Sequence, residues 1–513
     1  MKKNKKSVTP TRRTKRRKSV QRGSFGSCAS LSTIHSIKFP TYPQKLLSFT
    51  YLRAYATITR VTPVIMTPPS PEMCSPSMPS STFTLQKYKA ADYGIHPNDV
   101  SEAALATIHE LTKAGFQAYV VGGGVRDLLL GLHPKDFDIA TDATPDQIKR
   151  VFGRGCQIIG RRFQLAHVYH NRQMLEVATF RAPHEEHTAH SQTSAHGMIV
   201  RDNIWGSIDQ DALRRDFSIN AMYYQPETGQ ILDFANGMKD IKSKTLRMIG
   251  DPATRYREDP VRMLRVARFA AKLQFRLDDA TEAPVKDLAY LLKAISHHRL
   301  YDESHKMFAC GHLQALLQHL GEMDLFSALF PQVKEDVFNS PLVKLAAKNT
   351  DDRIQQGKSV NPAFFYAVVL WEWQQRLTKL ELDRGEDIFP AYQSAGIKVL
   401  TLQSQQTAIP RFVAQTIRDI WDLQPRLEKP RSRVVPKLII QPKFRAGFDF
   451  LLLRELSGDN RTHGMGTWWE HYQAVSTDEQ EVLLRLLDKP KAKPKSNKPK
   501  KPKAVVANTK EAQ

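Results

Sequence analysis

Residues 119–142, YVVGGGVRDLLLGLHPKDFDIATD, constrain the fold more than any other part of the chain. Tyr119, Val120 and Val121 read as a buried strand that runs straight into a glycine turn. Gly122, Gly123 and Gly124 carry no Cβ, so their backbone N–H groups can approach a phosphate closely. Arg126 follows at the start of a predicted helix, where its fork geometry and the helix dipole favour an anion. A second predicted strand, 136–141, presents two carboxylates. Side chains alternate along a strand, so Asp136 and Asp138 share one face while Phe137 points into the core. Two carboxylates on one face of a rigid strand can hold a pair of Mg²⁺ ions ~3.5–4 Å apart. Alone, GGG before a helix is an ordinary turn and DxD an ordinary solvated face. GGGVRD fits neither the P-loop nor the dinucleotide fingerprint. The conjunction of phosphate cradle and carboxylate pair predicts metal-dependent phosphoryl or nucleotidyl transfer.

GGGVRDLLLG followed by DFDIAT closely resembles the signature of the class II nucleotidyltransferases, the bacterial poly(A) polymerases and CCA-adding tRNA enzymes. The likeness covers roughly residues 95–488. It implies an α/β nucleotidyltransferase head, with a mixed sheet and helices, followed by an all-α neck and body. RRDFSIN, residues 214–220, matches a further family motif and supplies a third acid. Asp216 is expected to complete the metal shell or to take the proton of the attacking hydroxyl, and Arg215 to meet the triphosphate beside Gly123 and Arg126. Glu176, in LEVATFR, is a second candidate acid. Asp233 and residues 237–240 match a motif that looks structural, linking head to neck.

EDPVRMLRVARFAAKL, residues 258–273, predicts a helix with Asp259 as cap and Pro260 in the first turn. Arg262, Arg265 and Arg268 recur every third residue, a spacing that more often makes a solvated face. A carboxylate and a guanidinium on adjacent turns can also address a base edge, one accepting from an exocyclic amine and the other donating to a ring acceptor. The family resemblance assigns Asp259 and Arg262 to reading the incoming nucleotide, with Arg265 and Arg268 as supports or phosphate contacts. Pairing chemistry alone leaves A and C open. Residues 158–168, IIGRRFQLAHV, resemble the stretch that separates poly(A) polymerases from their CCA-adding relatives, and residues 361–371, 409–421 and 442–454 resemble bacterial poly(A) polymerases. The resemblance therefore implies Mg²⁺-dependent addition of AMP from ATP to RNA 3′ ends, with tails that promote RNA turnover. A CCA-adding enzyme is the alternative, and a non-catalytic RNA-binding protein on a transferase scaffold a second.

Charge distribution agrees with an RNA substrate. The net charge is +23, yet residues 1–22 carry eleven Lys/Arg and no acid, and residues 489–513 carry nine Lys and one Glu. Only +4 remains for everything between. Basic arms bind nucleic acid through counterion release. Trp371, Trp373, Trp468 and Trp469 are loose candidates for base stacking, although most tryptophans at such positions are core. Cys28, Cys74, Cys156 and Cys310 show no metal spacing and read as free thiols in a reducing compartment. No apolar run approaches the ~20 residues of a membrane span. The expectation is a monomeric bacterial cytoplasmic enzyme. The basic, Ser/Thr/Pro-rich N-terminal segment, acid-free before Glu72, would also suit an organellar targeting peptide or an upstream start preceding Met66.

The predicted organisation is an extension over 1–95, a catalytic domain over 96–250, a helical neck over 251–340, a helical RNA-binding body over 341–488 and a Lys/Pro tail over 489–513. Ordered chain is expected from about Asn98, with Asn98 or Ser101 capping a helix to Lys113. Residues 157–159, 164–170 and 173–180 read as strands, the last two joined at Asn171-Arg172. Residues 183–197 read as a polar loop. Its His184, His187, His190 and His196 lack ligand spacing and are expected to be solvated. Strands are expected to end near residue 250.

Overall fold

The computed structural model describes residues 84–160, 164–182, 191–193, 199–202 and 204–488. Ten strands make the head: β1 Gln86–Lys89, β2 Ala118–Val121, β3 Asp138–Thr141, β4 Cys156–Ile159, β5 Leu165–His170, β6 Gln173–Thr179, β7 Ser191–Thr193, β8 Ile199–Asp202, β9 Met222–Gln225 and β10 Gln230–Asp233. Eight of them form one mixed sheet in the order β1-β10-β9-β2-β3-β6-β5-β4, in which only β3 and β6 run parallel. Their β-branched and aromatic residues bury both faces. Val120, Ile139 and Val177 face a core shared with helices α1 Glu102–Lys113 and α3 Pro145–Phe152. Val121, Ala140 and Tyr223 face the other side.

Local chemistry explains the elements. Ser101 caps α1 by accepting from the Ala104 N–H. Thr144 and Gln147 form a capping box around α3, with Pro145 in the first turn. Asn171 and Arg172 both take positive φ, 45° and 71°, which is what a two-residue hairpin turn between right-twisted strands requires. The turn before helix α2 Gly123–Leu129 rests on Gly122, at φ 73° and ψ −131°, a region closed to side chains.

Four expectations are corrected. Described structure begins before Asn98, because β1 adds an antiparallel edge to β10 that short polar QKYK does not advertise. Strand β3 starts at Asp138, so Asp136 lies in the connection before it. The polar segment 183–197 contributes β7, paired with β8; its four histidines lie outside the described residues. Strands do not end at residue 250: β11 Thr245–Leu246 pairs in parallel with β12 Arg276–Leu277.

Beyond the sheet come α4 Ile208–Leu213, α5 Gly237–Lys242, α6 Pro252–Glu258 and α7 Val261–Leu273, then the short α8 Asp279–Glu282 and α9 Val285–Leu288, and α10 His297–Phe308. Longer helices follow, among them Pro341–Gln355, Ile388–Ser404, Arg411–Glu428 and Phe444–Leu456. One apolar core runs from Phe217 and Leu246 through Met263, Phe308 and Phe365 to Leu453, so residue 250 does not separate two cores. Asp233 anchors the junction. Its buried carboxylate accepts from the N–H groups of Ala235, Gly237 and Met238, and a Cβ at Gly237 would stand 2.4 Å from the Ser218 carbonyl.

Candidate active site

A cleft of about 600 Å³ opens where the head meets α7 and α10. Arg215, Asp216, Asp259, Arg262 and Arg265 all line it, so residues chosen from two separate motifs converge on one space. The head contributes Ala178 from β6 as well. Because β3 and β6 pair Ile139 with Val177, both of which face the α1 core, Asp138 and Glu176 stand on the opposite sheet face, the same face as Ala178.

Asp138 is solvent-facing but closely flanked. Desolvation pushes its carboxyl above the usual carboxylate range, Glu176 and Asp136 push further, and Arg215 opposes them. The three acids and Arg215 thus share one electrostatic neighbourhood. Arg215 also adjoins the glycine turn: a Cβ at Gly122 would lie 3.7 Å from its Nη1. The rest of its guanidinium is fixed from below. Nε donates to the Tyr223 hydroxyl at 3.0 Å and Nη2 to Asp211 Oδ2 at 2.9 Å.

Asp216 lines the same cleft as Arg215. Arg265 Nε donates to its Oδ2 at 2.8 Å, and the Phe217 N–H donates to its Oδ1 at 2.9 Å. Burial alone would raise this carboxyl, but the Arg265 charge, with hydrogen bonds from Arg265 and Asn220, holds it down at about 2. Among the described residues no group of three or more His, Cys, Asp or Glu is placed to hold a metal ion. Asp216, expected to complete the metal shell or to take the hydroxyl proton, is bonded to Arg265. A carboxyl ionised at all ordinary pH is also a poor proton acceptor.

Arg126, expected to meet the triphosphate, is likewise engaged by partners within the protein. It is 2% exposed, with Nε and Nη2 donating to Asp127 and Nη1 donating to Asn220 Oδ1 at 2.7 Å. Its guanidinium folds back beneath the turn, 3.4 Å from where a Gly123 Cβ would be. Asn220 in turn donates to Asp216. A hydrogen-bonded chain thus runs Asp127, Arg126, Asn220, Asp216, Arg265, from the glycine turn to α7. Phe269 lies among three guanidiniums, those of Arg126, Arg265 and Arg268.

The arginine stripe of α7 is not a solvated face. Arg262 Nη1 donates to Glu258 Oε2 at 2.9 Å and to the Arg255 carbonyl at 2.7 Å. Arg268 Nε donates to buried Glu303 at 2.6 Å. Asp259 does not cap α7: no side-chain cap is made there, Pro260 is the N-cap, and the Asp259 backbone is extended at φ −148° and ψ 91°. Its Oδ2 accepts from Arg299 Nη2 at 2.8 Å. Arg299, Glu303 and Lys306 of α10 all line the cleft. None was singled out in the sequence, where their only mark is an i, i+4, i+7 spacing in an unremarkable helix. The stacking candidates fare poorly. Trp371, Trp373 and Trp469 are buried, and Trp468 is half-buried, stacked on Tyr472.

Residues 118–247 match the poly A polymerase head domain, residues 274–337 a probable RNA and SrmB-binding site of polymerase A, and residues 384–504 the polymerase A arginine-rich C-terminus. The poly(A) polymerase I of Haemophilus influenzae is 43% identical over 418 residues, 79% of this chain and 92% of that protein. The chain belongs to the bacterial poly(A) polymerase family. Poly(A) polymerase I of Escherichia coli O157:H7 is 41% identical over 421 residues, 80% of this chain and 90% of the relative. As a member of the poly(A) polymerase family the protein is a nucleotidyltransferase, and CCA-adding enzymes are more distant kin. That of Lactobacillus helveticus is 38% identical over 220 residues, 43% of this chain and 53% of the relative. The fold is shared with a CCA-adding enzyme in an apo form, at 19% identity and a TM-score of 0.53, covering 80% of this chain and 97% of that one. Among the described residues no helix is long and apolar enough to cross a membrane.

Proposed function

We propose that this protein is a Mg²⁺-dependent, template-independent polynucleotide adenylyltransferase that transfers AMP from ATP to RNA 3′ ends, acting as a cytoplasmic monomer whose tails promote RNA turnover. The observation that carries this reading is the length of its likeness to poly(A) polymerases. It extends over about four-fifths of the chain, whereas the likeness to CCA-adding enzymes covers under half.

In this reading Gly123 of the turn and Arg215 hold the triphosphate, Arg215 being kept aimed by Asp211 and Tyr223. Asp136 and Asp138 hold Mg²⁺, with Glu176 on the neighbouring strand adding negative charge beside Asp138. Asp138, its carboxyl pushed up by desolvation and by the charges of Glu176 and Asp136, stands in a negative environment that a divalent cation relieves. When bound, the metal polarises the phosphoryl oxygens and the attacking hydroxyl. The RNA 3′-hydroxyl loses its proton to solvent, its oxygen bonds to the α-phosphorus, and the bond from that phosphorus to the α–β bridging oxygen breaks as pyrophosphate leaves. Asp259 accepts from the adenine amine and Arg262 donates to the ring nitrogen. Arg126, Asp216, Arg265 and Arg268 act as positioning residues that fix α7 against the head, and the basic arms hold RNA phosphates.

Incorporation of labelled ATP into a generic RNA, with and without Mg²⁺, tests the assignment. Asp138→Asn is expected to abolish incorporation while RNA binding persists. An Asp138→Asn protein as active as its parent would refute the metal site.

A further inference from the structure

The helical body holds a second cavity, of about 640 Å³, that shares no lining residue with the active-site cleft. Helices Pro341–Gln355, Pro362–Val369, Arg411–Glu428 and Phe444–Leu456 wall it. Phe364, Leu452 and Leu456 give it apolar sides, and Leu456 is 65% exposed. Phe412 is 74% exposed and stands one turn before Thr416, which lines the cavity. Large apolar side chains left in water beside one cavity mark a binding surface.

The charge around the cavity suits an anion. Its two acids are already engaged, Asp352 by Lys348 at 2.7 Å and Asp449 by Arg445 at 2.9 Å. Among the described residues no ion pair engages Arg353 or Lys443, which also line it. Arg445 lies 5.3 Å over the Phe448 ring, so its guanidinium is held as a flat, exposed cation. Asn349 adds an amide that no other described side chain bonds, and an amide both donates and accepts. Flat apolar walls, a polar group that suits either sense of hydrogen bond and cations on several elements match an unstacked nucleotide. Phe412, outside the cavity, offers a face to a second base, which a strand has and a free mononucleotide lacks.

One helix reaches both places. Arg299 and Lys306 of α10 line the cleft, and Phe308 at its end lines the cavity. Arg299 and Phe308 are about 14 Å apart along the helix, at 1.5 Å per residue. We propose that the cavity is an upstream RNA site that takes one unstacked base of the strand whose 3′ end lies in the cleft, with Phe412 stacking on a neighbouring base and Arg353, Lys443 and Arg445 holding the phosphates. The proposal rests on the reading of RNA as substrate. A dinucleotide primer, at about 3.4 Å per stacked nucleotide, is too short to fill cleft and cavity together, whereas a longer RNA fills both. The cavity therefore governs the hold on long RNA and leaves ATP binding and the chemical step untouched.

The test uses the full chain and the variants Phe412→Ala, Lys443→Ser and Thr416→Phe, with thermal unfolding of each. Fluorescence anisotropy reads RNA binding without ATP, and kcat/KM is measured on a dinucleotide primer and on a generic long RNA. Phe412→Ala removes one stacking face and is expected to weaken binding of the long RNA roughly tenfold, with an unchanged salt dependence. Lys443→Ser should lower the slope of log affinity against log salt by about one. Thr416→Phe fills the cavity and should act as Phe412→Ala does; where it fails to fold, the two surface variants carry the test. KM for ATP and kcat on the dinucleotide are expected to stay at wild-type values. Unchanged affinity for long RNA in Phe412→Ala overturns the proposal, and so does an equal loss on both primers. Weakening by Lys443→Ser alone leaves only a phosphate contact and overturns the base site. A wild-type chain that binds RNA yet adds no nucleotide refutes the transferase reading alone, and the anisotropy comparison still decides the site.

Discussion

Arg265 on α7 donates through Nε to Asp216 Oδ2 at 2.8 Å, and this ion pair ties the RRDF motif of the head to the helix that carries Arg262. Both partners line the cleft, so the pair fixes α7 against the head at the site itself.

The pair makes a pH-dependent contribution to stability. With its folded value lowered from 3.8 to about 2, Asp216 stabilises the native state by roughly 2 kcal/mol, fully present above the unfolded pKa and lost as pH falls through 2. Arg265→Ala leaves the charge buried without its cation and should cost about 3 kcal/mol at pH 7, a deficit that shrinks on acidification as the carboxyl takes a proton. Denaturant unfolding of both proteins from pH 7 to pH 3 checks this. A pH-independent difference would contradict it.

Glu176 should tune the metal site. Glu176→Gln keeps the shape of β6 but removes a charge beside Asp138, and the Mg²⁺ concentration for half-maximal activity is expected to rise about tenfold. An Mg²⁺ titration of wild type, Glu176→Gln and Asp216→Asn ranks the two acids. A larger shift for Asp216→Asn would assign the further metal carboxylate to Asp216 rather than Glu176.

Gly122→Ala tests the turn. At φ 73° and ψ −131° a side chain is strained whatever the space, and the added methyl would sit 3.7 Å from Arg215 Nη1. We expect about 1–3 kcal/mol of destabilisation, with KM for ATP raised more than KM for RNA. Equal effects on both would show that the turn does not serve the nucleotide.

Arg454 offers the structural contrast. Fully buried, it donates to Glu428 Oε1 at 2.6 Å, to Gln424 Oε1 at 2.9 Å and, through Nε, to Asp459 at 2.9 Å, and it lies 4.5 Å over the Trp371 ring. Arg454→Ala leaves Glu428 without its cation, while Asp459 keeps Arg461, and should cost about 3–5 kcal/mol in chemical denaturation, with nucleotide preference unchanged in the surviving folded fraction.

The fold was legible wherever local chemistry is strong. The GGG turn, the Asn171-Arg172 hairpin and the Thr144 capping box were all readable because backbone conformation restricts which residues fit. Strand β1 was hidden because QKYK has no apolar pattern and gains its place only by pairing with β10. In the cleft, Arg215, Asp216, Asp259 and Arg262 were found by motif, but their partners were not. Arg299 meets Asp259 across forty residues and Arg265 meets Asp216 across forty-nine. No periodicity reports such a contact, so motifs named the groups while only the packed neck could distinguish a free acid from a bonded one. The pattern of Arg262, Arg265 and Arg268 looked like a solvated face for the same reason: the acids that bury it lie in other elements.

The most direct measurement of the central claim is primer extension on a generic RNA and on a tRNA lacking its CCA end, with each of the four nucleotides supplied alone. The account predicts repeated addition from ATP on both RNAs and little from CTP on either. Addition of CTP confined to the tRNA, followed by a single adenylate when ATP is added, would contradict it.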